Sequence, residues 1–182
     1  MPCYLPKFLL KINGTKYEKR LKMVGWPFIF RYPKASLSLG KNVCINSNFF
    51  SNLLGVYQRT IIIARGEGSI TIGDNVGISG ATIYARDRIE IGDNVLIGVN
   101  TKIFDNDFHP IDAEQRKNGD YSCLISKPVI IENDVFIGCN CIILKGTHIG
   151  KECVIGAGSV VHGEFPDKCV IAGNPAKIVK RL

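Results

Sequence analysis

Aliphatic residues recur along this chain with a period of six. From Ile131 each step of six lands on a β-branched residue: Ile137, Ile143, Ile149, Ile155 and Val161. Four residues beyond each of the first five anchors the chain is small or β-branched, at Val135, Cys141, Thr147, Cys153 and Ser159. The same ruler reads Ile91, Ile97 and Ile103 with Val95 and Thr101, then Ile72, Ile78 and Tyr84 with Val76 and Thr82. A weaker match is Leu39 and Ile45 with Val43 between them. A helix would repeat at about 3.6 residues and a simple strand at about 2. A period of six, with glycine after the anchor at Gly138, Gly150 and Gly156, describes a short extended segment followed by a corner. Three such segments make a triangular coil of about 18 residues. Coils stacked as parallel ladders at roughly 4.8 Å would pile the anchors into a column inside a prism. The strings IGDN at 72–75 and 91–94, IEND at 131–134 and IGKE at 149–152 place polar groups where the chain bends.

The ruler divides the chain. It covers about residues 36–162, with a disturbance at FFSNLLGVYQRTIIIARGEG (49–68) that predicts bulged coils or a small protrusion. One extra residue lies between Tyr84 and Ile91. From Ile91 to Ile131 is 40 residues, 22 more than one coil, and the excess falls at about 104–128, a polar segment with two prolines and His109. A long loop interrupting a regular solenoid is a functional candidate. Residues 1–35 lack the hexad and are expected to cap the open prism, with a short amphipathic helix around Tyr17–Val24. Residues 163–182 turn at Pro166 and Pro175 and form a C-terminal extension ending in a strand or short helix.

Composition adds limits. The 182 residues suit one domain, and 46% hydrophobic with 21% charged residues excludes global disorder. No run of 18 apolar residues could span a membrane as a helix. Lys7 and Lys11 interrupt the apolar start of the chain, so no secretory leader is read there and the cytoplasm is the expected compartment. The seven cysteines are then free thiols. Cys141 and Cys153 fall in the small interior slots and read as buried hydrophobes. The nearest pair among His109, His148 and His162 is 14 residues apart, which does not suit a zinc site, and no metal is expected.

The string His109-Pro110, four residues, then Arg116-Lys117-Asn118-Gly119 is more specific. With Lys127-Pro128-Val129-Ile130-Ile131, IGAGSVV at 155–161 and the final AGNPAKIVKRL, it resembles the galactoside and maltose O-acetyltransferase group of the hexapeptide-repeat acyltransferase superfamily. The resemblance covers about residues 70–182. It implies an all-β fold, a left-handed parallel β-helix with an N-terminal cap, one long catalytic loop and a short C-terminal extension. The hand comes from the resemblance, since crossover statistics favour the right-handed connection. It further implies acetyl-CoA as acetyl donor, a sugar or polysaccharide-precursor hydroxyl as acceptor, and a homotrimer with the cofactor lying between adjacent prisms.

Acetyl transfer to a sugar hydroxyl needs a base, and a neutral imidazole can take the proton as the oxygen attacks the thioester. His109 is assigned that role, with Asp105 and Asp107 as candidates to orient it. Backbone N–H groups near Gly138 are candidate oxyanion donors. By resemblance, Phe136 matches a Trp beside the pantetheine arm, Cys139 a Ser at the thioester end, and Gly156 and Ala157 lie along the arm. Lys177 and Lys180 match cations that meet the nucleotide phosphates. One departure is His162-Gly163, where the family often has Thr-Lys. The alternatives are an amino-sugar N-acetyltransferase, a serine-type acetyltransferase, or a non-catalytic β-helix scaffold.

The formal net charge of +7 is unevenly spread. Residues 1–35 hold eight basic residues and one acid, residues 36–167 hold 11 basic and 15 acidic, and residues 168–182 hold four basic and no acid. The C-terminal excess suits cofactor phosphates. The N-terminal excess lies beside Tyr4, Phe8, Trp26, Phe28 and Phe30, and suggests peripheral contact with the inner face of an anionic membrane or with a lipid-linked glycan. No aromatic–basic module or helix-turn-helix pattern suggests nucleic acid.

Overall fold

The computed structural model describes Phe8 and residues 10–182; Tyr4 and Lys7 of the expected cap lie outside the described residues. The chain winds through successive three-strand coils. Coil 1 is β1 (Lys16–Tyr17), β2 (Lys22–Gly25) and β3 (Phe28–Arg31), and coil 2 is β4 (Ser36–Leu39), β5 (Cys44–Ser47) and β6 (Ile61–Ala64). Coil 3 is β7 (Ser69–Ile72), β8 (Gly77–Ser79) and β9 (Thr82–Ala85), and coil 4 is β10 (Arg88–Ile91), β11 (Leu96–Ile97) and β12 (Lys102–Phe104). Coil 5 is β13 (Val129–Ile131), β14 (Phe136–Ile137) and β15 (Ile142–Ile143), and coil 6 is β16 (His148–Ile149), β17 (Val154–Ile155) and β18 (Val160–Val161). A partial seventh turn adds β19 (Glu164–Phe165) and β20 (Cys169–Gly173), and β21 (Ala176–Arg181) folds back antiparallel on β20. Each coil gives one strand to each of three sheets, all otherwise parallel.

The anchors point inward as the ruler requires. Ile131, Ile137, Ile143, Ile149, Ile155 and Val161 are buried, as are Cys141, Cys153, Thr147 and Ser159 in the slots beside them. Burying one such aliphatic side chain stabilises by about 1.5–3 kcal/mol. One anchor shifts: Ile83 is the inward residue and Tyr84 faces outward, because the corner before β9 is one residue shorter. The structure also begins the prism earlier than the hexad count. Residues 16–31 form coil 1, and the segment expected as a helix is the corner between β1 and β2 with the strands on either side, with Leu21 and Met23 inward and Lys22 outward. Alternation with period two, paired against β5, decides this over a helical face. At the other end β19 and β20 continue the ladders past residue 162, and β21 supplies the expected terminal strand.

At the corner between the first and second sheets, asparagines hold successive coils together. Asn42 Nδ2 donates to Asn75 Oδ1 (2.9 Å), Asn75 Nδ2 to Asn94 Oδ1 (3.0 Å) and Asn94 Nδ2 to Asp134 Oδ1 (2.9 Å). All four have φ between 56° and 62°, a left-handed turn that Asn and Asp tolerate better than other residues with a Cβ.

The outer faces of the sheets differ. The first carries Ser36, Ser38, Thr71, Arg88, Glu90 and Glu164. The third carries Phe28 and Phe30, Ile61 and Ile63, Tyr84, Phe104, Ile142 and Val160 in register from coil to coil, with Thr82 and Lys102 among them.

Burial pushes the Cys141 and Cys153 thiols up from their ordinary value, so they stay protonated and unreactive. Titration of the folded protein with an alkylating reagent at neutral pH should modify exposed Cys123 and spare Cys141, Cys153 and Cys169 until the chain is unfolded. Equal rates at all four would contradict the inward placement.

Candidate active site

The excursion predicted at 104–128 leaves the prism after β12, at the corner joining the third sheet to the first. Its neck is closed by an antiparallel bridge between Asn106 and Ser126 and by the Lys127 N–H donating to the Asp105 carbonyl (2.9 Å). Asp105 is fully buried. Its carboxylate accepts the N–H of Arg86 (2.9 Å) and of Asp87 (2.7 Å) from the coil above, and Nδ2 of Asn106 (3.1 Å). That coordination leaves it the task of fixing the corner from which the loop departs. Asn106 Oδ1 accepts the Phe108 N–H (2.9 Å), and the His109 N–H donates to the Asp107 carbonyl (2.6 Å). This tight turn puts Phe108 at φ 60° and packs its ring on Tyr84 and Phe104, at 4.9 and 5.3 Å.

His109 is thereby held exposed at the rim of a cleft of about 550 Å³, lined also by Asp107, Pro110, Ile111, Gln115, Cys123 and Leu124. Among the described residues no side chain or carbonyl hydrogen-bonds its ring; the nearest aromatic is Tyr121, at 5.8 Å between centroids. Asp107 points elsewhere, to an ion pair with Lys145 on the coil below, and both are largely buried. Neither candidate orienter therefore engages His109 within one chain. Helix α1 (Ala113–Asn118), capped by Asp112 and ended by Gly119 at φ 65°, carries Arg116. Its guanidinium donates to the carbonyls of Pro110 (2.7 Å) and Ile111, which locks the backbone just after His109. The spacing from His109-Pro110 to Arg116 thus has a mechanical meaning that the motif alone did not reveal. Lys145 carried no sequence signal, because its partner is 38 residues away and meets it only through coil stacking.

The predicted cofactor residues lie on another edge. Gly138 and Cys139 follow β14, and Gly156 and Ala157 follow β17, both at the corner joining the second sheet to the third. A Cβ on Gly138 would stand 2.6 Å from the Ala157 nitrogen, so glycine is required there by the approach of the next coil. The Gly138 N–H is used in the ladder, donating to Ile155 (2.8 Å), whereas among the described residues the N–H groups of Cys139 and Ala157 find no acceptor. Exposed Phe136 stands in register with Val154, Val170 and Lys180 down the second sheet. Three strand spacings set Phe136 and Lys180 roughly 14 Å apart. Lys177 lies alongside, opposite Ala172, which abuts Gly156.

The other histidines do not join the site. His148 sits on the first sheet against Glu132 (2.8 Å), and His162 follows β18. Among the described residues no three His, Cys, Asp or Glu side chains come together as metal ligands.

Residues 88–103 and 128–162 match the family model described as the hexapeptide repeat of succinyl-transferase. The galactoside O-acetyltransferase of Escherichia coli (strain K12) is 33% identical over 150 residues, 82% of this chain and 59% of that protein. A solved maltose O-acetyltransferase from Clostridium difficile 630 is 34% identical, with a TM-score of 0.65, covering 80% of this chain and 69% of that one. A hexapeptide-repeat acetyltransferase from Vibrio cholerae, solved with acetyl coenzyme A, is 26% identical with a TM-score of 0.53, covering 97% of this chain and 76% of that one. The chain spans about six-tenths of the length of the curated relatives it matches.

Asp105→Ala would strand buried donors at the neck of the loop, a loss of about 2–4 kcal/mol. The melting temperature should fall by about 5–10 °C, and by less in Asp105→Asn, as calorimetry would show. An unchanged melting temperature would contradict the anchoring role.

Proposed function

Because the chain belongs to the hexapeptide-repeat acetyltransferase superfamily and folds as its left-handed parallel β-helix, we propose that it transfers an acetyl group from acetyl-CoA to a hydroxyl of a sugar or polysaccharide precursor. The observation that carries the reading is the track on the second sheet. Phe136 offers an apolar face to a pantetheine arm, the N–H groups of Cys139 and Ala157 lie at one side, and Lys180 and Lys177 stand where anionic phosphates would follow.

His109 is the general base. Its ring accepts the proton of the acceptor hydroxyl as that oxygen attacks the thioester carbonyl. The Cys139 N–H donates to the developing oxyanion, a reading supported by its lack of an acceptor among the described residues, whereas the Gly138 N–H is used in the ladder. Collapse of the tetrahedral species breaks the C–S bond, and the imidazolium returns the proton to the departing thiolate of coenzyme A. Asp105, Asp107 and Lys145 act on the position of the loop rather than on the reacting atoms.

His109 and Cys139 stand at the two opposite edges of the third sheet, so a single chain does not bring base and thioester together. A homotrimer resolves this. If the apolar outer faces of the third sheet turn toward a threefold axis, the His109 edge of each copy meets the Cys139 edge of the next, a heterologous contact that closes. Phe28 and Phe30 then belong to this packing surface. Trp26, Ile12 and the exposed Lys16 and Lys22 are left for an anionic surface such as a membrane or lipid-linked glycan, with the protein on the cytoplasmic side. No helix among the described residues is long and apolar enough to cross a membrane.

His109→Ala should lower turnover by about 10²–10⁴-fold in a coenzyme A release assay while leaving acetyl-CoA affinity nearly intact; unchanged turnover would overturn the assignment. Lys16→Glu/Lys22→Glu should weaken binding to vesicles rich in anionic lipid by about tenfold. Equal binding of the parent protein to zwitterionic vesicles would reject the surface contact.

A further inference from the structure

Between β5 and β6 the chain leaves the prism at residues 48–60, and the acetyl-transfer reading makes no use of this protrusion. It is rigidly built. Asn48 caps the short 3-10 turn Phe49–Ser51, and Asn52 Nδ2 donates to Ser79 Oγ (3.3 Å). Gln58 Nε2 donates to the Gly80 carbonyl (2.7 Å), and the Thr60 N–H to Ser47 Oγ (2.9 Å). Val56 is buried against Gly80, where any Cβ would stand 2.6 Å from its Cγ1. The Tyr57 hydroxyl reaches Asn140 Oδ1 at 3.3 Å. The protrusion therefore runs along the second corner from coil 2 to coil 5 and ends one residue from Cys139.

Its outer side is apolar and bare. Phe50 is 87% exposed, Leu53 fully so and Leu54 73%. Apolar side chains held out on a rigid support mark an interaction surface, and its position on the prism identifies an occupant. Rotation about an axis parallel to the prism preserves height. The His109 loop leaves the prism after coil 4 and its root packs on Tyr84 of coil 3, so in the threefold arrangement it faces coils 3 to 5 of the next copy at the second corner, the span from Asn52, tied to Ser79 of coil 3, to Tyr57 at Asn140 of coil 5. That loop carries its own exposed apolar residues, Ile111 (81%), Ile125 (51%) and Tyr121 (45%), and a His109 ring with no hydrogen-bond partner among the described residues. The protrusion borders the apolar third sheet, where Gln58 Nε2 also donates to Thr82 Oγ1 (3.3 Å).

We propose that Phe50, Leu53 and Leu54 of one copy pack against the 105–128 loop of the next, adding a wall to the neighbour's active site and holding His109 in place. The proposal rests on the trimeric acetyl-transfer reading. Each site then draws its base from one chain, and its thioester donors and protrusion wall from another.

The double variant Leu53→Ser/Leu54→Ser tests it, since both side chains lie outside each prism's own core and the far-ultraviolet circular dichroism of the variant should match the parent's. Hydrogen exchange of 105–128 should be at least tenfold faster in the variant at a concentration where the parent is trimeric. Turnover should fall at least tenfold with the KM for acetyl-CoA unchanged. Unchanged exchange in 105–128 overturns the proposal. That includes the outcome in which only the acceptor KM rises, which would make the protrusion a wall for the acceptor alone. A parent protein that sediments as a monomer also overturns it. If the parent acetylates no acceptor, the exchange measurement still reads the packing, so failure of the activity reading and failure of this contact are distinguishable.

Discussion

Every feature of this molecule depends on keeping successive coils in register at one strand spacing, about 4.8 Å. A β-branched aliphatic inside each face and a turn at each corner let the backbone of every coil pair with the coils above and below. The constraint leaves little freedom inside the prism. Thr101, Thr147 and Ser159 sit among the aliphatics only because their hydroxyls bond to nearby backbone carbonyls: Gly138 (3.0 Å), Leu144 (2.6 Å) and Gly156 (2.6 Å) respectively. Gly138 has no room for a Cβ. Variation is pushed outward to the corners, where chain can be inserted without disturbing the ladders.

Both long insertions use this freedom, and each is tied to the coils by buried or half-buried polar groups. The His109 loop is fastened through Asp105 to the coil above and through Asp107 and Lys145 to the coil below. The protrusion is fastened through Gln58 and Thr60 and laid along the neighbouring corners. Two inserts of different length are therefore stiff enough to present particular side chains, a histidine in one and an apolar cluster in the other, from opposite edges of one sheet.

In the proposed acetyl transfer that separation would tie assembly to chemistry. His109, the Phe136–Lys180 track and the C-terminal lysines lie on a surface that one prism leaves open. The apolar outer face of the third sheet between them would give copies a reason to associate in the orientation the proposed trimer requires. The basic C-terminal strand β21 completes the second sheet beyond the track, so the charge excess noticed in the composition has a defined place on it.

Much of this was legible in the chain. The hexad determined the coil, the inward residues and the existence of both insertions, because three six-residue segments close a triangular coil and each interruption shows as a miscount; the hand came only from the resemblance. The His109-Pro110 and Arg116 motif marked the loop whose backbone Arg116 locks. Residues 16–31 escaped the ruler although their inward residues Tyr17, Met23 and Ile29 are also six apart, because Tyr and Met are not the β-branched aliphatics by which the ruler is read, and Tyr84 was misread because a corner shortened by one residue moves the anchor to Ile83. The partners of Asp105 and Asp107 and the role of Lys145 were settled only by the tertiary structure. They meet across coils, at separations of 18 to 38 residues that no local pattern encodes. So too were the opposite edges of His109 and Cys139: sequence spacing says which corner a residue occupies only once the number of residues in every intervening turn is known.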